Sequence, residues 1–271
     1  MNLMSVHLSE KHFHEISEIV YRSCGINLKP GKEALVRSRL MKRLRARKID
    51  SVQAYLDHIE CSEGSHELSL FIDAMTTNKT SFFRESEHFN YLRDHVLPGL
   101  RSQRLRFWSA ACSSGEEPYT LAIWLREHMP GIEKKDALIL ATDISKRMLE
   151  KAHLAVYPAE TINALPSPQF KKYFNRLNGQ YAGSYRITDE VRKMVRLAWL
   201  NLLESWPMKG PFNVIFCRNV MIYFDRPTQQ RLISRFWDLL EPGGFLFVGH
   251  SEGLSAINHK FRYMRPATYR K

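Results

Sequence analysis

Residues 104 to 111 read RLRFWSAA and run through Cys112-Ser113-Ser114-Gly115 into Glu116-Glu117-Pro118, where a helix opens. A short apolar run that breaks at a tight loop and passes into a helix starts a strand–loop–helix unit. The pattern returns in ALILATD (137 to 143), which ends on Asp143 and passes to a helix at Ile144-Ser145. FNVIFCRN (212 to 219), a helix over 227 to 240, the turn Pro242-Gly243-Gly244 and FLFVGH (245 to 250) continue it, and KFRYMRPATYRK (260 to 271) fits an edge strand. Strands alternating with amphipathic helices predict an α/β domain built on a parallel sheet. Between Tyr157 and Val195 the rhythm breaks: Pro158, Pro166, Pro168, Gly179 and Gly183 surround a helix over 169 to 176 and the strand-like YRIT. This stretch is expected to be an insertion with a small antiparallel sheet.

Upstream the texture is helical and basic. Between Lys32 and Lys48 lie eight cations (Lys32, Arg37, Arg39, Lys42, Arg43, Arg45, Arg47, Lys48) against Glu33 alone. Val36, Leu40 and Leu44 recur every four residues and would line one helix face, leaving Arg39, Lys42 and Arg43 on another. Pro30-Gly31 supplies a start, and a segment with Ile16, Ile19, Val20 and Leu28 predicts a helix beside it. The first 70 or so residues read as a small helical domain whose cationic face exceeds ordinary solubility needs, a merely solvated face being the alternative.

The whole chain has 271 residues, 44% hydrophobic, which is enough to bury a core, and a net charge of +12 that suggests a polyanionic partner. With 25% charged residues and no apolar run near the roughly 18 to 20 needed to span a bilayer, membrane insertion is not expected. The start, MNLMSVHLSEKHFHE, has no basic segment followed by an apolar one, so a cytoplasmic protein is expected. Cys24, Cys61, Cys112 and Cys217 have no CxxC spacing, which argues for reduced thiols and against a zinc knuckle or disulfide framework.

In an open doubly wound sheet the ligand lies at the carboxyl ends of the strands, and an acidic residue ending the second strand can bind ribose hydroxyls. Asp143 has that place. The first loop has a single glycine, Gly115, followed by two carboxylates that would repel a pyrophosphate. Glu116 or Glu117 would instead suit an ammonium group, so the cofactor should carry a nucleoside at one end and an amino acid at the other. S-adenosylmethionine is so built. The plainer alternative is that the glutamates complement the helix dipole and Asp143 caps a helix.

TTNKTSFFRE (76 to 85), FWSAACSSGEEPYTLAI (107 to 123), ATDIS (141 to 145), FCRNVMIYFD (216 to 225) and GGFLFVGHSE (243 to 252) together resemble the signatures of the CheR family of chemotaxis protein methyltransferases. The resemblance implies an all-helical domain over 1–75 with a receptor-facing basic helix, a linker over 76–95 contributing to the cofactor site, and a class I (Rossmann-like) methyltransferase domain over 96–271 with a β-subdomain inserted at about 157–196. It implies methyl transfer from S-adenosylmethionine to receptor glutamates, giving methyl esters and S-adenosylhomocysteine. The partners implied are chemoreceptor cytoplasmic domains, with no nucleic acid and no metal, and a monomer is expected. Whether a receptor C-terminal peptide docks on the β-subdomain stays open.

By the same resemblance, cofactor contacts fall on Asn78, Thr80, Arg84, Glu117, Asp143, Asn201, Leu202, Cys217, Arg218 and Asn219. Glu117 is favoured over Glu116 as the second glutamate of GEEP. Cys112 stands where a small uncharged residue is common, so its thiol is an expected point of alkylation sensitivity. A glutamate acceptor, with its usual pKa near 4.3, is already ionised at neutral pH and needs no general base. Catalysis then reduces to alignment at roughly 3 to 3.5 Å, an effect that can contribute about 7 to 11 kcal/mol. Arg84 and Tyr223 are the candidates for orienting the carboxylate. Their structural alternatives are an ion pair with Glu85 or Glu87 for Arg84 and a half-buried aromatic beside Phe224 for Tyr223. Arg39, Lys42 and Arg43 are the candidate receptor-binding residues.

Other function classes fit less well. Gly249-His250-Ser251-Glu252-Gly253 satisfies the G-x-S-x-G nucleophile elbow, but no Asp or Glu follows Glu252, so a Ser–acid–His order cannot be completed. A nucleic-acid methyltransferase would use the basic helix on phosphates, yet the Asn/Asp-Pro-Pro-Tyr/Phe motif of amino-methylating enzymes is absent. A binding module without catalysis has no support in the intact motif set.

Overall fold

The computed structural model describes residues 8–271, so the expectation about the first seven residues lies outside it. The chain divides into two compact units. One comprises the residues up to Thr77 together with Tyr223–Thr228, and the other Asn78–Ile222 with Gln229–Lys271. Of the stretch expected as a linker, Thr76 and Thr77 group with the first unit and the rest with the second.

The first unit is helical: α1 (Glu10–Cys24), α2 (Glu33–Arg47), α3 (Val52–Glu60) and α4 (Ser65–Met75). Ser9 caps α1 by accepting the His12 N–H, and Gly25 ends it in the left-handed region that favours glycine, so Leu28 falls beyond the helix. Val36, Leu40 and Leu44 of α2 are buried, each contributing about 1.5 to 3 kcal/mol by leaving water. The buried Glu67 of α4 is a less expected part of this core. Arg43 grips its two carboxylate oxygens at 2.9 and 2.7 Å, and the Tyr55 hydroxyl donates to it at 2.7 Å.

The second unit begins with α5 (Ser86–Tyr91) and then alternates β1 (Arg104–Ala110), α6 (Glu116–His128), β2 (Asp136–Asp143) and α7 (Lys146–Leu154). The insertion follows: β3 (Val156–Pro158), α8 (Ala159–Asn163), β4 (Phe174–Arg176), β5 (Ser184–Ile187) and α9 (Asp189–Arg192). The chain closes with β6 (Val195–Trp199), β7 (Phe212–Cys217), α10 (Arg226–Leu239), β8 (Leu240–Val248), β9 (Arg262–Arg265) and β10 (Thr268–Arg270).

Seven strands form one sheet in the order β6-β2-β1-β7-β8-β10-β9, and β3-β5-β4 form a separate antiparallel sheet. The five strands from β6 to β8 pair in parallel, while β10 and β9 add an antiparallel hairpin. The doubly wound arrangement with its inserted antiparallel sheet is therefore present.

Local readings differ at six places. The helix expected over 169 to 176 is a 3-10 turn over Pro168–Tyr173 that passes into β4. β1 stops at Ala110 because Ala111 turns to a φ of 66°, and β7 stops at Cys217, short of Asn219 with φ 60°. Gly243 and Gly244 lie within β8, whose pairing with β7 slips in register between Phe212 and Val214. The C-terminal segment forms two strands, β9 being the edge. VRLAW, which periodicity did not place, is the other edge strand, β6. The central strands are buried on both faces: Phe107, Phe216 and Phe247 are fully buried, and the last two rings stack at 4.7 Å.

Candidate functional site

The carboxyl ends of β1, β2 and β7 place the second unit's polar residues. Beyond Ala110 the backbone takes positive φ at Ala111 (66°), Ser113 (51°) and Gly115 (97°). Such conformations at non-glycine residues persist where the surroundings enforce them, and they gather at ligand sites. Here the Cys112 N–H donates to the Thr142 carbonyl at 2.8 Å and the Ser113 N–H to Asp143 Oδ2 at 2.7 Å. The Ser113 hydroxyl donates to the Asn78 carbonyl at 3.0 Å. Gly115 is required twice over, since a Cβ would also meet the Ala152 Cβ at 2.9 Å and the Tyr157 hydroxyl at 3.1 Å.

Asp143 is buried, and its other oxygen accepts the Ser145 N–H at 2.8 Å. It thus fastens the β1 loop to the start of α7. The two neighbouring glutamates part company. Glu116 accepts from the Ser114 hydroxyl at 2.7 Å. Glu117 accepts from the Ser109 hydroxyl at 2.6 Å and meets Arg218 Nη1 at 3.3 Å. Burial pushes both carboxyls upward, and for Glu117 the Arg218 charge is the chief opposing influence.

Arg218 is the centre of this network, its side chain only 1% exposed. It bridges Glu117 and Glu85, the latter at 3.2 Å, donates to the Arg84 carbonyl, and lies over the Phe89 and Phe216 rings. Glu85 also accepts from Asn219 Nδ2 at 3.1 Å. Burial raises the Glu85 carboxyl, but Arg218 and Asn219 outweigh it and hold the group below its ordinary value. Arg84 forms neither ion pair foreseen as its structural alternative: Glu85 goes to Arg218 and Glu87 to Arg265. Its guanidinium donates to the Lys79 carbonyl at 2.9 Å, and its charge is near enough to favour ionised Glu117.

Asn78 and Thr80 are half-buried in the segment leading to Arg84. Asn201 is folded on its own turn, donating to Glu204 at 2.9 Å and accepting the Leu203 N–H at 3.1 Å. Leu202 and Cys217 are buried. Cys112 does not fit its expected alkylation sensitivity: it is 1% exposed, and burial, with Asp143 and Glu117 nearby, pushes its thiol well up, disfavouring the reactive thiolate.

The remaining candidates belong to the first unit. Tyr223 is half-buried there, its carbonyl accepting the Asn27 N–H at 2.8 Å. Arg39 donates to the Met75 carbonyl at 2.5 Å and the Thr77 hydroxyl at 2.9 Å, and Arg43 is held by Glu67. Lys42 is exposed, as are Arg37, Arg45 and Arg47. The cationic face is thus partly structural, which charge counting alone could not reveal.

Glu85, His88 and Glu252 were not singled out as site residues from sequence. The signal for Glu85 and His88 lay in their spacing after Arg84, and for Glu252 in the motif set aside with the hydrolase. Glu85, His88 and His250 bring one donor atom each within 4.8 Å of one another. They do not fit a metal ion, because the Glu85 oxygens are engaged by Asn219 and Arg218, and a dication would face that buried guanidinium.

Residues 78–270 match the family model described as CheR methyltransferase, SAM binding domain, and residues 11–76 match CheR methyltransferase, all-alpha domain. The chemotaxis protein methyltransferase of Klebsiella aerogenes is 43% identical over 262 residues, covering 96% of this chain and 89% of that protein. Chemotaxis protein methyltransferase 2 of Pseudomonas aeruginosa is 42% identical over 265 residues, covering 97% and 94%. That of Escherichia coli K12 is 42% identical over 266 residues, covering 97% and 91%.

Proposed function

The chain belongs to the CheR family of S-adenosylmethionine-dependent chemotaxis protein methyltransferases, and from that premise we propose that its acceptors are glutamate side chains of chemoreceptors, converted to methyl esters in chemotactic adaptation. The observation that carries this reading is the contrast between two arginines. Arg218 is saturated by Glu85, Glu117 and the Arg84 carbonyl, whereas Arg84, among the described residues, hydrogen-bonds to the Lys79 carbonyl alone and keeps a planar fork of donors for a carboxylate.

S-adenosylmethionine, when bound, supplies an electrophilic methyl group on a sulfonium. Asp143 would hold the ribose hydroxyls, and Glu117, whose ionised form the Arg218 charge favours against the effect of burial, the ammonium group. Arg84 would orient a carboxylate, and Asn78, Thr80, Asn201, Leu202, Cys217 and Asn219 would shape the remaining walls. Tyr223 is proposed as a second orienting group. An acceptor that is already an anion needs no base, and the buried carboxylates nearby are engaged in holding the site together. The exposed cations of α2, Lys42 foremost, suit the glutamate-rich surface of a receptor's helical bundle.

The test is incubation with labelled S-adenosylmethionine and receptor cytoplasmic domains. Base-labile methyl ester on glutamate is the expected product. Arg84→Ala should depress turnover more than S-adenosylhomocysteine affinity, with poor rescue by lysine, which lacks the fork. Equal losses in both would confine Arg84 to the cofactor, and transfer to nucleic acid instead of receptor would overturn the substrate assignment.

A further inference from the structure

In the stretch Gly249-His250-Ser251-Glu252, Ser251 is exposed in a turn while the acid beside it is buried. The Glu252 carboxylate collects backbone donors. Its Oε2 accepts the N–H groups of Asn219 and Gly249, each at 2.6 Å, and its Oε1 accepts the Ile222 N–H at 3.1 Å. The Met221 N–H also acts on it.

Apart from Gly249, which follows β8, these donors belong to the first residues after β7, where the chain has left the sheet and would otherwise bury unpaired N–H groups. Asn219 has φ 60°, a left-handed conformation that a residue with a side chain adopts only under constraint. It is held at both ends, by Glu252 at its backbone N–H and by Glu85 at its side-chain amide. Gly249 completes the clamp sterically: a Cβ there would lie 2.6 Å from Asn219 Nδ2, 2.6 Å from Glu252 Oε2 and 2.9 Å from the Asn219 nitrogen.

We propose that Glu252 is a positioning residue of the cofactor site, its buried carboxylate acting with Gly249 to hold Asn219 in the left-handed conformation from which the Cys217–Asn219 segment meets S-adenosylmethionine. This rests on the reading above that the segment contacts the cofactor. Glu252 itself touches neither the methyl donor nor the acceptor; it acts through the backbone.

Glu252→Gln keeps the shape but turns an N–H donor toward N–H donors. In the full chain it should leave a folded protein that binds S-adenosylhomocysteine at least tenfold more weakly by calorimetry. The KM for S-adenosylmethionine should rise while that for the receptor domain stays unchanged. Gly249→Ala displaces Asn219 without altering any charge and should weaken binding likewise, so it decides the matter should the glutamine variant not fold. Asn219→Gly supplies the coupling test: if Glu252 acts through Asn219, the double variant should bind no more weakly than the weaker single one. Ser251→Ala, exposed beside the clamp, should bind normally. Folded Glu252→Gln and Gly249→Ala proteins with wild-type affinity, or losses that multiply in the double variant, would overturn the proposal. A wild-type chain that bound no S-adenosylhomocysteine would instead remove the reading on which it rests.

Discussion

Arg218→Met should destabilise the second unit by about 3 to 5 kcal/mol, and the loss should shrink as the pH is lowered. Methionine keeps much of the volume and the apolar contacts with Phe89 and Phe216, whose ring centroids lie 5.6 and 6.0 Å from the guanidinium. What disappears is the positive charge 3.2 Å from Glu85 and 3.3 Å from Glu117, leaving two mostly buried carboxylates near one another without a counter-charge. Burial already raises Glu117, and without Arg218 Glu85 should rise as well. Carboxyls whose native-state pKa lies above the unfolded value bind protons in the native state first, so the variant's stability is greatest at low pH. It falls as the pH rises from about 4.5 through the raised values. The difference from wild type should therefore be smaller at pH 5 than at pH 8. All five tryptophans lie in the second unit, so urea unfolding followed by their fluorescence reports on that unit alone. A loss under about 1 kcal/mol, or one equal at both pH values, would refute Arg218 as the counter-charge of a buried pair.

Asp143→Ala should weaken S-adenosylhomocysteine binding by about 1.5 to 3 kcal/mol, measured by calorimetry, and should also lower the thermal midpoint, because the buried Ser113 and Ser145 N–H groups lose their acceptor. In the first unit, Arg43→Ala should cost about 1 to 3 kcal/mol, since among the described residues Glu67 keeps Tyr55 and the more distant Arg47, whereas exposed Lys42→Glu should stay within about 0.5 kcal/mol. Thermal unfolding separates the two, and only Lys42→Glu can then be read as a docking defect in a methylation assay. Burial, aided by the Arg218 charge, pushes His88 down to about 3. The unfolded chain therefore takes up a proton below about pH 6.5 that the native state refuses, and stability is lost as the pH falls from there toward 3. His88→Gln should flatten the acid limb of unfolding free energy against pH by up to about one proton, or 1.36 kcal/mol per pH unit; an unchanged slope would contradict this.

The fold was legible where burial on both faces made the strands continuous apolar runs, as in RLRFWSAA and FNVIFCRN, and where loop residues punctuated them. It was not legible at β6, whose VRLAW is half-exposed at the sheet edge and lies beyond an insertion that hides its partnership with β2. Gly243 and Gly244 signalled a turn because local chemistry favours one, yet both lie within β8, in the stretch that the pairing with β7 skips, where they exchange backbone hydrogen bonds with Lys271. The site's residue types were readable, while their division of labour was not. Arg84 and Arg218 look equivalent as letters, and only packing shows that one is saturated and the other has donors to offer. In α2, periodicity assigned Val36, Leu40 and Leu44 inward, but it could not see that Arg43 would be claimed by a glutamate 24 residues away.

The strand order also bears on how the chain emerges during synthesis. β1 finds β2 almost at once, but its other edge must wait for β7, which follows α7, the whole antiparallel insertion and β6. Throughout that interval Phe107, Trp108 and their neighbours present an unpaired apolar edge of the kind that invites pairing with other chains. The insertion therefore sets a delay as well as a shape. Lengthening it should lower soluble yield in cells lacking nascent-chain chaperones, even where the finished protein is equally stable.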